Sequence, residues 1–252
     1  MRVAELLASG EVFATWDRQD SGCISYGLRR DDGRWFVKVP THEQAAASLA
    51  RASRLHAAVR HPAIIAPHDT ATGDVGTALV YPWHDGEVLY DASARLRFRS
   101  LRQTLVEAAL SAVIDAHLVV IAAGFVAVDL YDGCFLYDFD RNVMRLCDLD
   151  EYRPGPFRNE VGRLPGSKRF MSPEELTVGA TIDERTTVFN LGRTIAVLLA
   201  PMDDEQGWRG TEVQRAVVAK ATHADPARRY PTVAALAADW SQAAQTPNVD
   251  RG

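Results

Sequence analysis

Two short acidic turns, nineteen residues apart, constrain this chain more than any other feature of its sequence. The first turn carries Asp129 after a short apolar run, and the second carries Asp148 within the sequence Cys-Asp-Leu-Asp. A Met-Ser-Pro-Glu-Glu block follows at 171–175. In phosphoryl transfer, one carboxylate orients a hydroxyl group and another holds Mg²⁺ on the nucleotide phosphates. Two acidic turns at this separation therefore suit a phosphoryl-transfer site.

Length and composition indicate a globular protein that can bury a sizeable core. The chain has 252 residues, of which 47% are hydrophobic and 24% are charged, as in ordinary globular domains. Its formal charge of −5 gives no support for nucleic-acid binding. No uninterrupted apolar run reaches the ~18 residues of a membrane span, and the first residues lack the apolar region of a signal peptide. We expect neither nucleic acid nor membrane as a partner.

The cysteines favour a reducing compartment. Their number is odd and their spacing does not match that of a metal site: Cys23, Cys134 and Cys147. Thiols of this kind stay reduced in the cytoplasm. We therefore expect a cytoplasmic protein.

Local sequence patterns predict three strands near the start of the chain, followed by helices. An Asp32-Gly33 pair suits a tight hairpin ahead of the strand 35–39, which contains Lys38. We predict two earlier strands around 13–15 and 23–30. Apolar residues at helical spacing predict helices over 43–60 and 101–123, and Gly124 suits the C-terminal cap of the second helix.

Taken in order, these segments resemble the eukaryotic-type (Hanks-type) Ser/Thr protein kinases, as a divergent bacterial member. The most specific match is 166–174, Gly-Ser-Lys-Arg-Phe-Met-Ser-Pro-Glu, which is close to the family's Gly-Thr-x-x-Tyr-Met-Ser-Pro-Glu. The stretch 224–233 resembles its late Asp-Pro-x-x-Arg-Tyr motif. This resemblance implies that Arg229 pairs with Glu174.

The resemblance also implies a fold and a division of the chain. The expected fold is α+β with two lobes, as in protein kinases. A small antiparallel β-sheet lobe with one helix, which binds the nucleotide, would cover 1–84. A larger, mainly helical catalytic lobe would cover 85–244, and a tail would cover 245–252.

The family's site residues carry over to matching positions of this chain. Asp129 takes the catalytic position, and Asp148 takes the position of the ligand for Mg²⁺. Lys38 takes the position of the strand lysine that neutralises the phosphates of ATP, although an exposed strand-end lysine is the alternative. The residues implied to contact the nucleotide are Tyr81, Pro82 and His84 at the strand-to-hinge junction, and Gly22. The loop around Gly22 is either a modified phosphate loop or a plain hairpin loop.

Several positions depart from the family pattern. Ala52 stands where the family has the glutamate that pairs with the lysine, unless a shift of register recruits Glu43. The other replaced positions are Ala127 and Val128 for the His-Arg before the catalytic aspartate, Tyr131 for a lysine, Cys134 for the metal-binding asparagine, and Thr187 for an aspartate that braces the catalytic loop.

Two acids are candidates to replace the missing asparagine at the metal. A thiol is a poor ligand for Mg²⁺, which prefers hard oxygen donors. Asp132 lies in the same turn as Cys134 and either supplies an oxygen or only forms the turn. Asp150 follows Asp148 closely and is either a second ligand or a solvent-facing acid.

These observations leave three functions open. The first is transfer of the γ-phosphate of ATP, with Mg²⁺, to a protein Ser or Thr hydroxyl. The second is the same chemistry on a small-molecule hydroxyl. The third is a pseudokinase, a nucleotide-binding or regulatory module without transfer activity, which the replaced family positions favour. Since Lys38, Asp129 and Asp148 are all present, we favour phosphoryl transfer.

Overall fold

The structure is a computed structural model that describes residues 1–18, 21–200 and 207–245. The chain forms two compact units. The first comprises Met1–Arg60 and Ile64–Asp85, and the second comprises His61–Ala63 and the chain from Gly86 onward. The predicted boundary after residue 84 lies one residue from the end of the first unit. The predicted tail falls outside the described residues, except for Gln245.

The first unit is a five-stranded antiparallel sheet with two helices. Its elements in chain order are α1 Val3–Ala8, β1 Glu11–Trp16, β2 Cys23–Arg30, β3 Gly33–Pro40, α2 Glu43–Ala58, β4 Asp69–Thr72 and β5 Thr77–Pro82. The strand order is β1-β2-β3-β5-β4. β2 and β3 pair along their full lengths across the predicted Asp32-Gly33 turn, where Gly33 has φ 137°. Glycine suits this turn because a side chain is strained at such a φ.

The sheet buries apolar side chains on both faces. Because side chains alternate along a strand, Val37 and Val80 point to one face, where they pack with Leu6 of α1. Leu79 and Tyr81 belong to a second cluster, on the face covered by α2, whose members are Cys23, Ala45, Leu49, Ala52, Leu79 and Tyr81. The sheet is therefore held between the two helices of its own unit.

Gly22 lies where β2 meets the start of α2. It has φ 68°, and a Cβ placed there would lie 2.1 Å from the His42 ring. His42 in turn caps α2 by accepting a hydrogen bond from the Ala45 backbone N–H. The carbonyl oxygen of Gly22 accepts hydrogen bonds from the backbone N–H and the hydroxyl of Thr41. Close packing against the helix cap therefore accounts for a glycine here.

The second unit is mainly helical. Its helices are α3 Ala92–Arg99, α4 Gln103–Ala122, α5 Glu184–Leu199, α6 Glu212–Ala221 and α7 Val233–Ala244. Its short strands are β6 Glu87–Val88, β7 Phe125–Val126, β8 Phe135–Asp138, β9 Val143–Leu146, β10 Arg153–Pro154, β11 Phe157–Arg158 and β12 Thr181–Ile182. The α+β class, with a small antiparallel sheet and several helices, is as the sequence predicted.

The long helix α4 lies at the centre of the second unit and packs against α5 and α7. Gly124, with φ 80°, follows its C-terminal end as predicted. By length and composition α4 could cross a membrane, although Glu107 and Asp115 interrupt its apolar sequence. A core helix of a soluble protein meets the same criterion, and the fold is compatible with a soluble protein.

A buried ion pair joins two distant parts of the second unit. Arg229 donates from both terminal nitrogens to Glu174, at 2.6 and 2.9 Å, and only 4% of Arg229 is exposed. Its remaining N–H groups donate to the backbone oxygens of His223, Ala224 and Arg185. The pair predicted from sequence is therefore confirmed, and every donor of the guanidinium is used.

Replacing Arg229 by alanine should destabilise the protein by about 3–5 kcal/mol, because it leaves the Glu174 carboxylate buried without its cation. The free energy of unfolding, measured by urea denaturation, checks this. Arg228→Ala removes the neighbouring exposed arginine and should change stability by less than about 0.5 kcal/mol. Equal effects of the two substitutions would contradict a structural role for the ion pair.

Candidate functional site

Lys38 lies in the interior of the five-stranded sheet. It is 6% exposed, and it pairs across the sheet with Ser25 on β2 and Leu79 on β5. Paired residues on neighbouring strands point to the same face, so the Lys38 side chain shares the face that α2 covers. The alternative of an exposed strand-end lysine is therefore wrong.

Aromatic rings lie on the same face as Lys38. Phe36, two residues earlier on β3, points to this face, and its ring centroid is 5.8 Å from that of Trp16 and 6.3 Å from that of Tyr81. Trp83 stacks on Trp16 at 6.3 Å. Aromatic faces can stack on planar rings. The sequence analysis missed Trp16 and Phe36, although the two-residue spacing of Phe36 from Lys38 was a usable signal.

The end of β5 carries the predicted nucleotide contacts. Tyr81 is 9% exposed, and its ring packs edge-on against His56 of α2. The Trp83 backbone N–H donates to the Arg34 carbonyl on β3. Because backbone groups of successive residues in an extended chain point to opposite sides, the Pro82 carbonyl points away from β3. This direction suits its predicted role as an acceptor, and the half-buried His84 follows two residues later.

The buried face of α2 presents no carboxylate. Its buried residues are Ala45, Ser48, Leu49, Ala52, Leu55 and His56. Glu43 is the one acid of α2, and it lies exposed in the first turn. The structure therefore gives no support to a shift of register that would recruit Glu43.

In the second unit, the two acidic turns converge on the Cys134 thiol. This thiol donates to the Asp129 carbonyl oxygen at 3.3 Å, and its sulfur lies 3.9 Å from the Asp148 carbonyl oxygen. Asp129 and Asp148 both adopt left-handed backbone angles, with φ 62° and 59°. Such angles are uncommon outside glycine and often occur at functional sites. One buried side chain thus links the backbones of both candidate aspartates.

The Cys134 thiol is favoured in its neutral form by its surroundings. It is fully buried, and burial raises its pKa well above the usual range. The negative charges of Asp148 and Asp129 raise the pKa further. Only a thiolate binds metal ions well, so the neutral form of Cys134 is a poor metal ligand.

A threonine hydroxyl holds the first acidic turn in place. The Ala127 backbone N–H donates to Thr187 Oγ1 at 3.0 Å, and both residues are fully buried. Thr187 lies in the first turn of α5. The sequence predicts the loss of a brace at Thr187, but the Thr187 hydroxyl supplies an acceptor two residues before Asp129.

Asp132 is an ion-pair partner rather than a simple turn residue. It is completely buried, and its Oδ2 accepts from Arg95 at 3.1 Å and from Arg169 at 2.9 Å. Two guanidinium groups on one oxygen compete with any metal ion for that oxygen. Nothing in the local sequence signals contacts between residues 37 positions apart.

Asp150 is buried, with 6% of its surface exposed. The interpretation of Asp150 as a solvent-facing acid is therefore wrong. It lies two residues beyond Asp148, and both are carboxylates of the same turn. Within the described residues, no group of three or more His, Cys, Asp or Glu side chains is arranged to hold a metal ion.

No protein-family model matches this chain, and no curated protein matches its sequence.

Thr187→Val should destabilise the protein by about 1–3 kcal/mol, because it leaves the buried Ala127 N–H without an acceptor. Thr187→Ser keeps the hydroxyl and is the matched control. Amide hydrogen exchange at Ala127, followed by NMR, should accelerate in the valine variant and stay slow in the serine variant. Equal protection in both variants would show that this hydrogen bond does not hold the turn.

Proposed function

We propose that this protein is a phosphotransferase that uses ATP and Mg²⁺ and resembles the Ser/Thr protein kinases. It would transfer the γ-phosphate to a hydroxyl group of a protein or small molecule in the cytoplasm. The observation that carries the proposal is the convergence of Asp129 and Asp148 on the Cys134 thiol. A phosphoryl-transfer site needs one carboxylate for the hydroxyl and another for the metal.

Asp129 is the proposed acceptor of the hydroxyl proton. Its turn is fixed from two sides, by Thr187 through Ala127 and by the Cys134 thiol. The other side of Asp129 is close to Gly166, where a Cβ would lie 3.5 Å from Asp129 Oδ1. A carboxylate held this firmly needs little reorganisation to accept a proton, which favours catalysis.

Asp148 is the proposed magnesium ligand, with Asp150 as the second candidate. Mg²⁺ is commonly held by one or two carboxylates together with nucleotide phosphates, so these two acids fit it. Asp132 is left out because the two arginines on its Oδ2 already neutralise its charge and would repel a metal ion. When bound, the ion would neutralise charge on the phosphates.

The first unit is the proposed nucleotide-binding part. Lys38 is a buried cation suited to phosphate charge, and the rings of Trp16 and Phe36 share its face of the sheet. The Pro82 carbonyl and the backbone of His84 are the proposed contacts to the base. Gly22 is assigned no phosphate contact, since its packing against His42 explains the glycine.

The buried face of α2 favours a second candidate function, a pseudokinase. The family's lysine-pairing glutamate is replaced by Ala52, which is fully buried among apolar side chains. A protein without that carboxylate could still bind a nucleotide through Lys38 and regulate a partner. The two candidates differ in their dependence on Mg²⁺.

Thermal shift with millimolar ATP, with and without Mg²⁺, tests the proposal. A ligand at a hundred times its Kd adds about 2.7 kcal/mol, which corresponds to a rise in Tm of roughly 5–10 °C. We expect ATP to raise the Tm and Mg²⁺ to raise it further, because Asp148 is the proposed magnesium ligand.

Two variants test whether Asp148 is the magnesium ligand. Asp148→Asn should keep the shift with ATP and lose the increment with Mg²⁺. Asp140→Asn, at an exposed acid of the same unit, should behave as the wild type. No shift with ATP would contradict both candidate functions. A shift with ATP and no increment with Mg²⁺ would contradict the phosphotransferase and favour the pseudokinase.

A further inference from the structure

Two arginines contact the buried carboxylate of Asp132, and a third acts on it electrostatically. Arg95 and Arg169 donate to its Oδ2. Arg99, one helical turn beyond Arg95 on α3, lies close enough for Arg95, Arg169 and Asp132 to act on its charge. We call Arg95, Arg99 and Arg169 the arginine cluster. The proposed function so far assigns the cluster no role.

The arginine cluster carries more positive charge than its acid neutralises. Burial lowers the pKa of Arg99, and repulsion from Arg95 and Arg169 lowers it further, against a smaller opposing effect of Asp132. Asp91 also acts electrostatically with Arg95, but its carboxylate is held by the backbone N–H groups at the start of α3. Three positive charges near one buried negative charge leave a net positive charge, which a bound anion can neutralise.

The guanidinium groups are reachable from solvent and the acid is not. The side chains of Arg95 and Arg169 are 16% and 30% exposed, whereas that of Asp132 is completely buried. Guanidinium donors bind carboxylate and phosphate oxygens in planar, often bidentate geometry. Asp132 thus fixes Arg95 and Arg169, and the partly exposed guanidinium groups of these two residues are the ones that a ligand can reach.

The arginine cluster lies close to the proposed catalytic aspartate. Asp132 follows Asp129 by three residues, which span at most about 11 Å when extended. Gly166 packs against Asp129, since a Cβ there would lie 3.5 Å from the Asp129 Cα and Oδ1. Arg169 follows Gly166 by another three residues. A hydroxyl presented to Asp129 therefore has the cluster within reach of a neighbouring group.

We propose that the arginine cluster selects an acceptor whose hydroxyl lies close to an anionic group, a carboxylate or a phosphate. This inference rests on the proposed function and specifies its substrate class. The anion would come either from an acidic polypeptide around a Ser or Thr, or from a small phosphorylated alcohol. Both acceptors place an anionic group beside the hydroxyl.

Equilibrium binding without nucleotide tests the inference separately from transfer. Three fluorescent peptides with one central serine, flanked by glutamates, by neutral residues or by arginines, are titrated with protein at low salt. We expect the glutamate peptide to bind at least tenfold more tightly than the other two. Arg169→Gln should weaken its binding about tenfold. Arg97→Gln should not, because Arg97 lies on the same helix but pairs with Glu87.

A competition arm distinguishes the two sources of the anion. If glycerol phosphate displaces the glutamate peptide, the acceptor is a small phosphorylated alcohol. If the peptide binds and glycerol phosphate does not displace it, the acceptor is an acidic polypeptide. If Arg169→Gln fails to fold, as judged by circular dichroism, Arg95→Gln takes its place. Equal binding of the three peptides, or unchanged binding in the Arg169 and Arg95 variants, would overturn the inference. The ATP thermal shift of the same protein reports independently on the proposed function.

Discussion

The buried ion pair between Glu174 and Arg229 is the interaction on which the rest of the second unit depends. Its centre is the Glu174 carboxylate. It is held by Arg229 and by the hydroxyl of Thr186, which donates to it at 2.8 Å. The next residue of α5, Thr187, accepts the hydrogen bond from Ala127, just before Asp129. One turn of α5 therefore connects the ion pair to the first acidic turn. Loss of either partner would leave buried polar groups unpaired, which costs more than the bond itself contributes.

The stabilisation that this ion pair contributes depends on pH, and the pKa of Glu174 gives the direction of that dependence. Burial alone would raise the pKa of Glu174, but the hydrogen bonds from Arg229 and Thr186 outweigh it and leave the pKa lowered. A lowered pKa in the folded state means that the stabilisation is present above the unfolded-state value, 4.5. It is lost as the pH falls from that value through the lower pKa of the folded state, because the unfolded state takes up the proton first. The pair therefore stabilises the protein throughout the physiological range.

Much of the fold could be predicted from local sequence. The Asp32-Gly33 hairpin, the helices α2 and α4, and Gly124 at the end of α4 follow from turn chemistry and helical periodicity. The pair of Arg229 with Glu174 was predicted from the family resemblance. The contacts of Asp132 with arginines could not be predicted, because contacts between residues far apart in the chain leave no periodic pattern in the sequence. Whether the Thr187 hydroxyl could replace a carboxylate depended on a distance that only the structure supplies.

We propose that Asp148, and not Cys134, holds the metal of a phosphoryl-transfer site. A crystal structure with Mg²⁺ and a non-hydrolysable ATP analogue tests it most directly, through the protein atoms bound to the metal. The account predicts an Asp148 carboxylate oxygen at about 2.0–2.1 Å from Mg²⁺. Any second protein ligand should be a carboxylate oxygen, with Asp150 the expected one. Absence of Asp148 from the coordination sphere, or presence of the Cys134 sulfur in it, would contradict the account.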